Sequence, residues 1–108
     1  MATAYKVLGQ TVSQANTLTT LYAVPVARSA VCSTLAICNM GLIATFRVAI
    51  RPLGATIQDA NYIAYNSTIS PGDTIFLTLG ITLGATDVIS VYSSTSTVTF
   101  NLFGSEIF

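Results

Sequence analysis

Thr45-Phe-Arg-Val-Ala-Ile-Arg51 decides the fold class. Phe46, Val48 and Ile50 fall on one face of an extended chain, and Thr45, Arg47, Ala49 and Arg51 fall on the other. Strict period-2 alternation marks a strand that packs one face on a core and shows the other to solvent or a neighbour. The pattern recurs downstream. Ile75, Leu77 and Leu79 alternate with Thr74, Phe76 and Thr78, and Val98, Phe100 and Leu102 alternate with Thr97, Thr99 and Asn101. Ser29 to Asn39 differs, with Val31, Leu35 and Ile37 on one face and Ala30, Cys32, Ala36 and Cys38 on the other. Two apolar faces, one large and one small, predict a central strand with a second layer or a neighbouring subunit close on the small side.

Turn residues separate such segments: Val24-Pro25, Asn39-Met-Gly41, Pro52-Leu-Gly54, Ser70-Pro71-Gly72-Asp73 and Gly84-Ala-Thr-Asp87. Proline presets φ and glycine accepts positive φ, so these are breaks with a mechanism. Eight strands are predicted, near Tyr5–Leu8, Leu18–Val24, Ser29–Asn39, Ala44–Arg51, Tyr62–Ser67, Thr74–Leu79, Val88–Tyr92 and Thr97–Phe103. The echo of Leu77-Thr-Leu-Gly80 in Ile81-Thr-Leu-Gly84 suggests one bent strand with a bulge or kink at Gly80. No segment carries a long 3.6-residue period. The expected fold is all-β: a compact antiparallel β-sandwich or jelly-roll-like domain spanning residues 1–108.

Of the 108 residues, 52% are hydrophobic and only 7% charged, with Lys plus Arg and Asp plus Glu at 4 each and a net charge of zero. Soluble domains carry about 25% charged residues. A neutral surface provides little long-range repulsion between copies, which favours a permanent homo-oligomer or assembly subunit over a monomer. Nothing in the charge balance points to nucleic acid or a charged membrane surface. The uncharged run Ala30 to Phe46 falls short of the roughly 20 apolar residues a membrane helix needs, and Ser33, Thr34, Asn39 and Gly41 interrupt it. Two buried strands joined at Asn39-Met-Gly41 account for it better. The N-terminal stretch has no apolar run of signal-peptide length. Cys32 and Cys38, if on one strand, lie roughly 20 Å apart and are expected to be free thiols, which suits synthesis in a reducing cytoplasm.

The chain contains no histidine, so Ser-His and Cys-His nucleophilic machinery is excluded. Asp73 and Asp87 sit at turns just before strands, where a carboxylate caps backbone N–H groups. The cysteines lack metal-ligand spacing, and no glycine-rich loop cradles a phosphate. No catalytic residue, metal site or cofactor is expected. Arg47 and Arg51 share a strand face and are candidate subunit-contact residues. Tyr62 and Tyr65 are expected on opposite sides of their strand, so at least one could meet a partner. A stacked-tyrosine sugar site is the alternative use of that pair.

Several blocks, in order, resemble small virion structural proteins and domains of tailed bacteriophages, notably those infecting cyanobacteria. They are Leu18-Thr-Thr-Leu-Tyr-Ala-Val-Pro25, Ala30-Val-Cys-Ser-Thr-Leu-Ala-Ile-Cys-Asn39, Thr45-Phe-Arg-Val-Ala-Ile-Arg-Pro52, Tyr62-Ile-Ala-Tyr65, Gly80-Ile-Thr-Leu83, Asp87-Val-Ile-Ser-Val-Tyr92 and Phe100-Asn-Leu-Phe-Gly104. The resemblance implies a β-sandwich-like fold, self-association and no catalysis, and carries over no site residues. The resulting expectation is a capsid decoration or cement protein located in the virion. It would form a homotrimer and bind the major capsid protein or another virion protein, with no nucleic acid, membrane or cofactor involved. A tail, neck or fibre component is the first alternative, and a host-surface carbohydrate-binding module the second.

Overall fold

A computed structural model describes residues 2–108. The chain runs through β1 (Thr3–Val12), β2 (Thr19–Ala23), β3 (Ser29–Asn39), β4 (Ala44–Arg51), β5 (Tyr62–Ile69), β6 (Thr74–Leu83), β7 (Val88–Ser93) and β8 (Val98–Ile107). Single 3-10 turns at Pro52–Gly54 and Asp59–Asn61 interrupt the β4–β5 connection. All eight strands read from the sequence are present. β3 and β4 have the bounds given by the alternation, while β1, β6 and β8 run longer, β6 passing through Gly80 to Leu83. The run Ala30 to Phe46 is most of β3, a turn and the start of β4. Among the described residues no helix is long and apolar enough to cross a membrane.

Two four-stranded sheets pack face to face, a first sheet ordered β1-β8-β3-β6 and a second ordered β2-β7-β4-β5. The named strands pair antiparallel throughout. The pairs β1–β8, β2–β7, β3–β6 and β4–β5 are nested, like one long hairpin doubled at β4–β5 and rolled so that successive pairs alternate between sheets. This is the jelly-roll arrangement, the more specific of the two all-β architectures expected. The β2–β3, β4–β5 and β6–β7 loops gather at one end of the sandwich, and the remaining loops at the other.

The core lies between the sheets. Leu35, Ile37, Phe46, Val48, Phe100 and Leu102 are its centre, each at most 2% exposed. Burying side chains of this size contributes about 1.5–3 kcal/mol apiece. The alternation in β4 and β8 therefore reads straight through to the packing. β3 does not follow the simple alternation. Between Cys32 and Thr34 its pairing with β8 slips by one residue, and Ser33 is the extra residue of a bulge whose hydroxyl donates to the Phe103 carbonyl at 3.1 Å. The bulge inverts the phase. Ala30 and Cys32 on one side of it, and Leu35 and Ile37 on the other, all point inward and are fully buried, whereas the sequence placed them on opposite faces. β1 carries a matching slip between Val7 and Gly9, and β6 one opposite Cys32/Thr34, near Gly80. β8 thus runs regular while its neighbours on both sides bulge at one level. Gly104 lies at this level, and a Cβ there would overlap the Val31 carbonyl oxygen.

Asn39 closes the far end of β3. It is fully buried. Its amide donates to the carbonyls of Leu42 (2.7 Å) and Ile69 (3.2 Å), and its Oδ1 accepts from the Gly41 amide (3.0 Å) and Thr97 Oγ1 (3.0 Å). One side chain therefore satisfies backbone groups of the β3–β4 and β5–β6 turns and holds the β7–β8 turn. Asn39→Ala would leave several buried polar groups unpaired. We expect a loss of roughly 2–4 kcal/mol in urea-unfolding free energy with the strand content unchanged by circular dichroism.

Candidate functional site

The outward face of the first sheet carries no charge. The registers align Tyr5 with Ser105, Val31 and Thr82, then Val7 with Phe103, Thr34 and Thr78, then Gln10 with Asn101, Ala36 and Phe76, and finally Val12 with Thr99, Cys38 and Thr74. Tyr5 is 86% and Phe76 67% exposed, and Val7, Val12 and Phe103 are also solvent-accessible. Large apolar side chains set among threonine and serine, with no charge between them, suit burial against another protein surface.

The outward face of the second sheet is built differently. Arg47 and Arg51 lie on it, as the alternation in β4 requires, and both are held within the chain. The Arg47 guanidinium stacks 4.2 Å from the ring centres of both Tyr65 and Tyr92, and its Nε donates to Asn66 Oδ1 at 2.7 Å. Such cation–π contacts contribute about 0.5–1 kcal/mol each near a surface. Arg51 donates to the carbonyls of Ala55 (2.7 Å) and Gly54 (2.9 Å), which folds the β4–β5 loop back over the sheet. Ala49 and Ser90, small residues on the same face, are buried. Asp87 caps its own turn, as its position before a strand implies, with Oδ2 accepting from Gly84 N at 2.9 Å, and its Oδ1 also accepts from Leu53 N of the neighbouring loop at 2.9 Å. Asp73 caps its own turn through Thr74 N (2.9 Å).

Tyr62 and Tyr65 do not face opposite ways. Their rings meet edge to face with centres 5.0 Å apart. The reason is again bulging. Against β4, β5 takes three steps from Ser67 to Ala64 where β4 takes two, and two from Ala64 to Tyr62 where β4 takes one. Asn66, at φ 50° in the left-handed region, marks the first irregularity. Together with Asp59 the two tyrosines line a surface cleft of about 450 Å3. The structure therefore joins Arg47, Tyr65 and Tyr62 in one continuous cluster and sets Arg51 apart, at the end of β4 with its side chain on the loop.

A polar cluster that the sequence did not single out bridges the sheets. Glu106 on β8 is only 2% exposed. Its Oε2 accepts from the Tyr22 hydroxyl of β2 at 2.5 Å, and its Oε1 pairs with Arg28 Nη1 at 2.9 Å and Lys6 Nζ at 3.0 Å. Arg28 also stacks 4.1 Å over the Phe108 ring. β8 runs on past Phe103, where the sequence reading ended it, and its regular phase sets Val98, Phe100, Leu102, Gly104 and Glu106 on one face, which carries the carboxylate inside. Burial and the bond to Glu106 raise the Tyr22 pKa, so the phenol remains a donor. Cys32 and Cys38 are free, and burial pushes the Cys32 thiol up to about 11, which keeps it unreactive. No group of three or more metal-ligating side chains assembles among the described residues.

The fold places the chain in the class of eight-stranded jelly rolls. It is similar to a chain in the crystal structure of the T13 particle of infectious bursal disease virus, with a TM-score of 0.55 and 12% sequence identity, covering 96% of this chain and 30% of that one. It is also similar to a chain in the structure of the Gx strain of that virus, with a TM-score of 0.57 and 13% identity, covering 97% of this chain and 32% of that one. The chain spans about a third of the length of those chains. At such identity the likeness is one of fold. No family model and no curated protein matches the sequence.

Hydrogen bonds from Tyr22 and Lys6 hold the Glu106 carboxyl down from its ordinary 4.5 to about 2 against the opposing effect of burial, and Arg28 adds to the lowering. A folded-state value below the unfolded one stabilises the fold above about pH 4.5, and that contribution is lost as pH falls toward about 2. Urea midpoints measured across this window should fall more steeply for the native protein than for Glu106→Gln, which has no carboxyl to protonate.

Proposed function

We propose that this chain is a non-enzymatic structural protein of a virus particle, and that it decorates and cements a tailed-bacteriophage head. The observation that carries the reading is a jelly roll whose entire outward face on one sheet is free of charge and studded with exposed apolar side chains. The fold likeness to chains in virus particles supports the same setting. In this reading the β1-β8-β3-β6 face lies against the major capsid protein or a second copy of the chain, and a trimer bridges neighbouring shell subunits. The action is mechanical. Each contact adds buried apolar area, worth roughly 25 cal/mol per Å2 before the cost of association. A shell can open only by breaking many such contacts together, so multivalency makes modest individual contacts effective.

Copy number in purified virions, measured by quantitative mass spectrometry against the major shell protein, tests the placement. Hundreds of copies in fixed ratio to the shell protein support the head. A handful to a few dozen move the chain to the tail, neck or fibres, and absence removes the virion reading altogether. A second measurement tests the face. Phe76 projects outward and contributes little to the core, so Phe76→Asp should shift stability by no more than about 0.5 kcal/mol. It should nevertheless abolish sedimentation with particles and reduce the assembly state seen by light scattering. Unchanged association of this variant would show that the contact lies elsewhere.

A further inference from the structure

The Asp59–Tyr62–Tyr65 cleft lies on the outward side of the other sheet, away from the charge-free face, and nothing in the assembly reading uses it. Its volume of about 450 Å3 falls within the roughly 300–1,000 Å3 of small-ligand sites. Its rings are held in advance of any ligand. Arg47 covers one face of the Tyr65 ring at 4.2 Å, Tyr62 braces it edge-on at 5.0 Å, and the Asn66 side chain fixes Arg47 in turn. Tyr65 is nonetheless 56% exposed. Among the described residues the Asp59 carboxylate has no ion-pair partner, since both ion pairs go to Glu106. A rigid exposed ring beside an unpaired carboxylate and two phenol hydroxyls combines an apolar stacking surface with acceptors and donors for hydroxyl groups.

We propose that this cleft binds a neutral saccharide, with Tyr65 stacking on the C–H face of a sugar ring and Asp59 accepting bonds from its hydroxyls. The site holds one cation, Arg47, and one anion, Asp59, so its charges balance and favour neither sign of ligand. The Arg47 cation behind Tyr65 also weakens the attraction of that ring for a second cation. Pre-organisation lowers the ordering cost of binding, which is what a small polar ligand requires. The inference is independent of the shell-binding reading.

The test is an amide chemical-shift titration of the full chain with the methyl glycosides of glucose, galactose, mannose and N-acetylglucosamine at millimolar concentrations. At least one should produce saturable shifts confined to residues 59–66 and their β4 neighbours. Tyr65→Ala and Asp59→Asn should each weaken that binding about tenfold or more, the loss expected for one stacking or charge-assisted contact. Tyr65→Phe, which keeps the ring, should retain most of it. Because Tyr65 is exposed, the variant spectra should otherwise overlay that of the native protein, and Asp59→Asn tests the site should Tyr65→Ala perturb the strand. The proposal is overturned if none of these glycosides gives saturable shifts in 59–66, if binding survives both Tyr65→Ala and Asp59→Asn, or if choline saturates the cleft where the sugars do not.

Discussion

The regular phase of β8 is the constraint on which the rest of the molecule depends. Lying between β1 and β3, it sets the registers of the first sheet, and its neighbours bulge while it does not. Its inward positions supply Phe100 and Leu102 to the core and carry Glu106 to the rim, where Tyr22 reaches across from the second sheet. Gly104 sits at the level where the bulged β3 backbone comes closest, so the absence of a side chain there is a condition of the register. Two polar clusters then close the sandwich. Glu106 lies opposite Ala30 near the start of β3, and Asn39 ends that strand, about 30 Å away at the usual rise per residue. A mostly apolar interior is thereby given a definite depth and length, because each cluster is satisfied only when the loops around it are in place.

The 7% charged residues are few, and their distribution explains more than their number. Lys6, Arg28 and Glu106 consume one another at the rim. Arg47 and Arg51 are held on the second sheet, and Asp73 and Asp87 are committed to turns. Almost every charge is engaged in fastening a loop or joining the sheets. What remains outward on the first sheet is threonine, serine, Gln10, Asn101 and apolar side chains, several of them exposed. A zero net charge and a charge-free face are therefore two results of one allocation.

The sequence was most legible where the chain keeps a strict period of two. β4 and β8 have the faces that alternation assigns, and the turn residues mark the ends of β3 and β4 correctly. It was least legible at bulges. One extra residue at Ser33 moves Leu35 and Ile37 to the same side as Ala30 and Cys32, and two irregularities in β5 bring Tyr62 and Tyr65 together. A bulge depends on what the partner strand does, and no local pattern records that. Glu106 is a different case. The strand expected from the alternation ends at Phe103, short of it, and its partners Tyr22, Lys6 and Arg28 are distant in the chain and meet it only in the fold.

The sheets of a sandwich point their outer faces in opposite directions, and this orders the functional surfaces. A subunit held to a shell through the β1-β8-β3-β6 face turns the β2-β7-β4-β5 face away from the shell. The first face offers apolar contact without charge, which suits permanent burial. The second offers stacked rings, a carboxylate and an arginine held between two tyrosines. The bulges in β5 gather Tyr62 and Tyr65 without disturbing the inward face of β4, since Phe46 and Val48 keep their places in the core. The cleft is in this way uncoupled from the packing that holds the fold, and a change to it would leave the charge-free face of the first sheet intact.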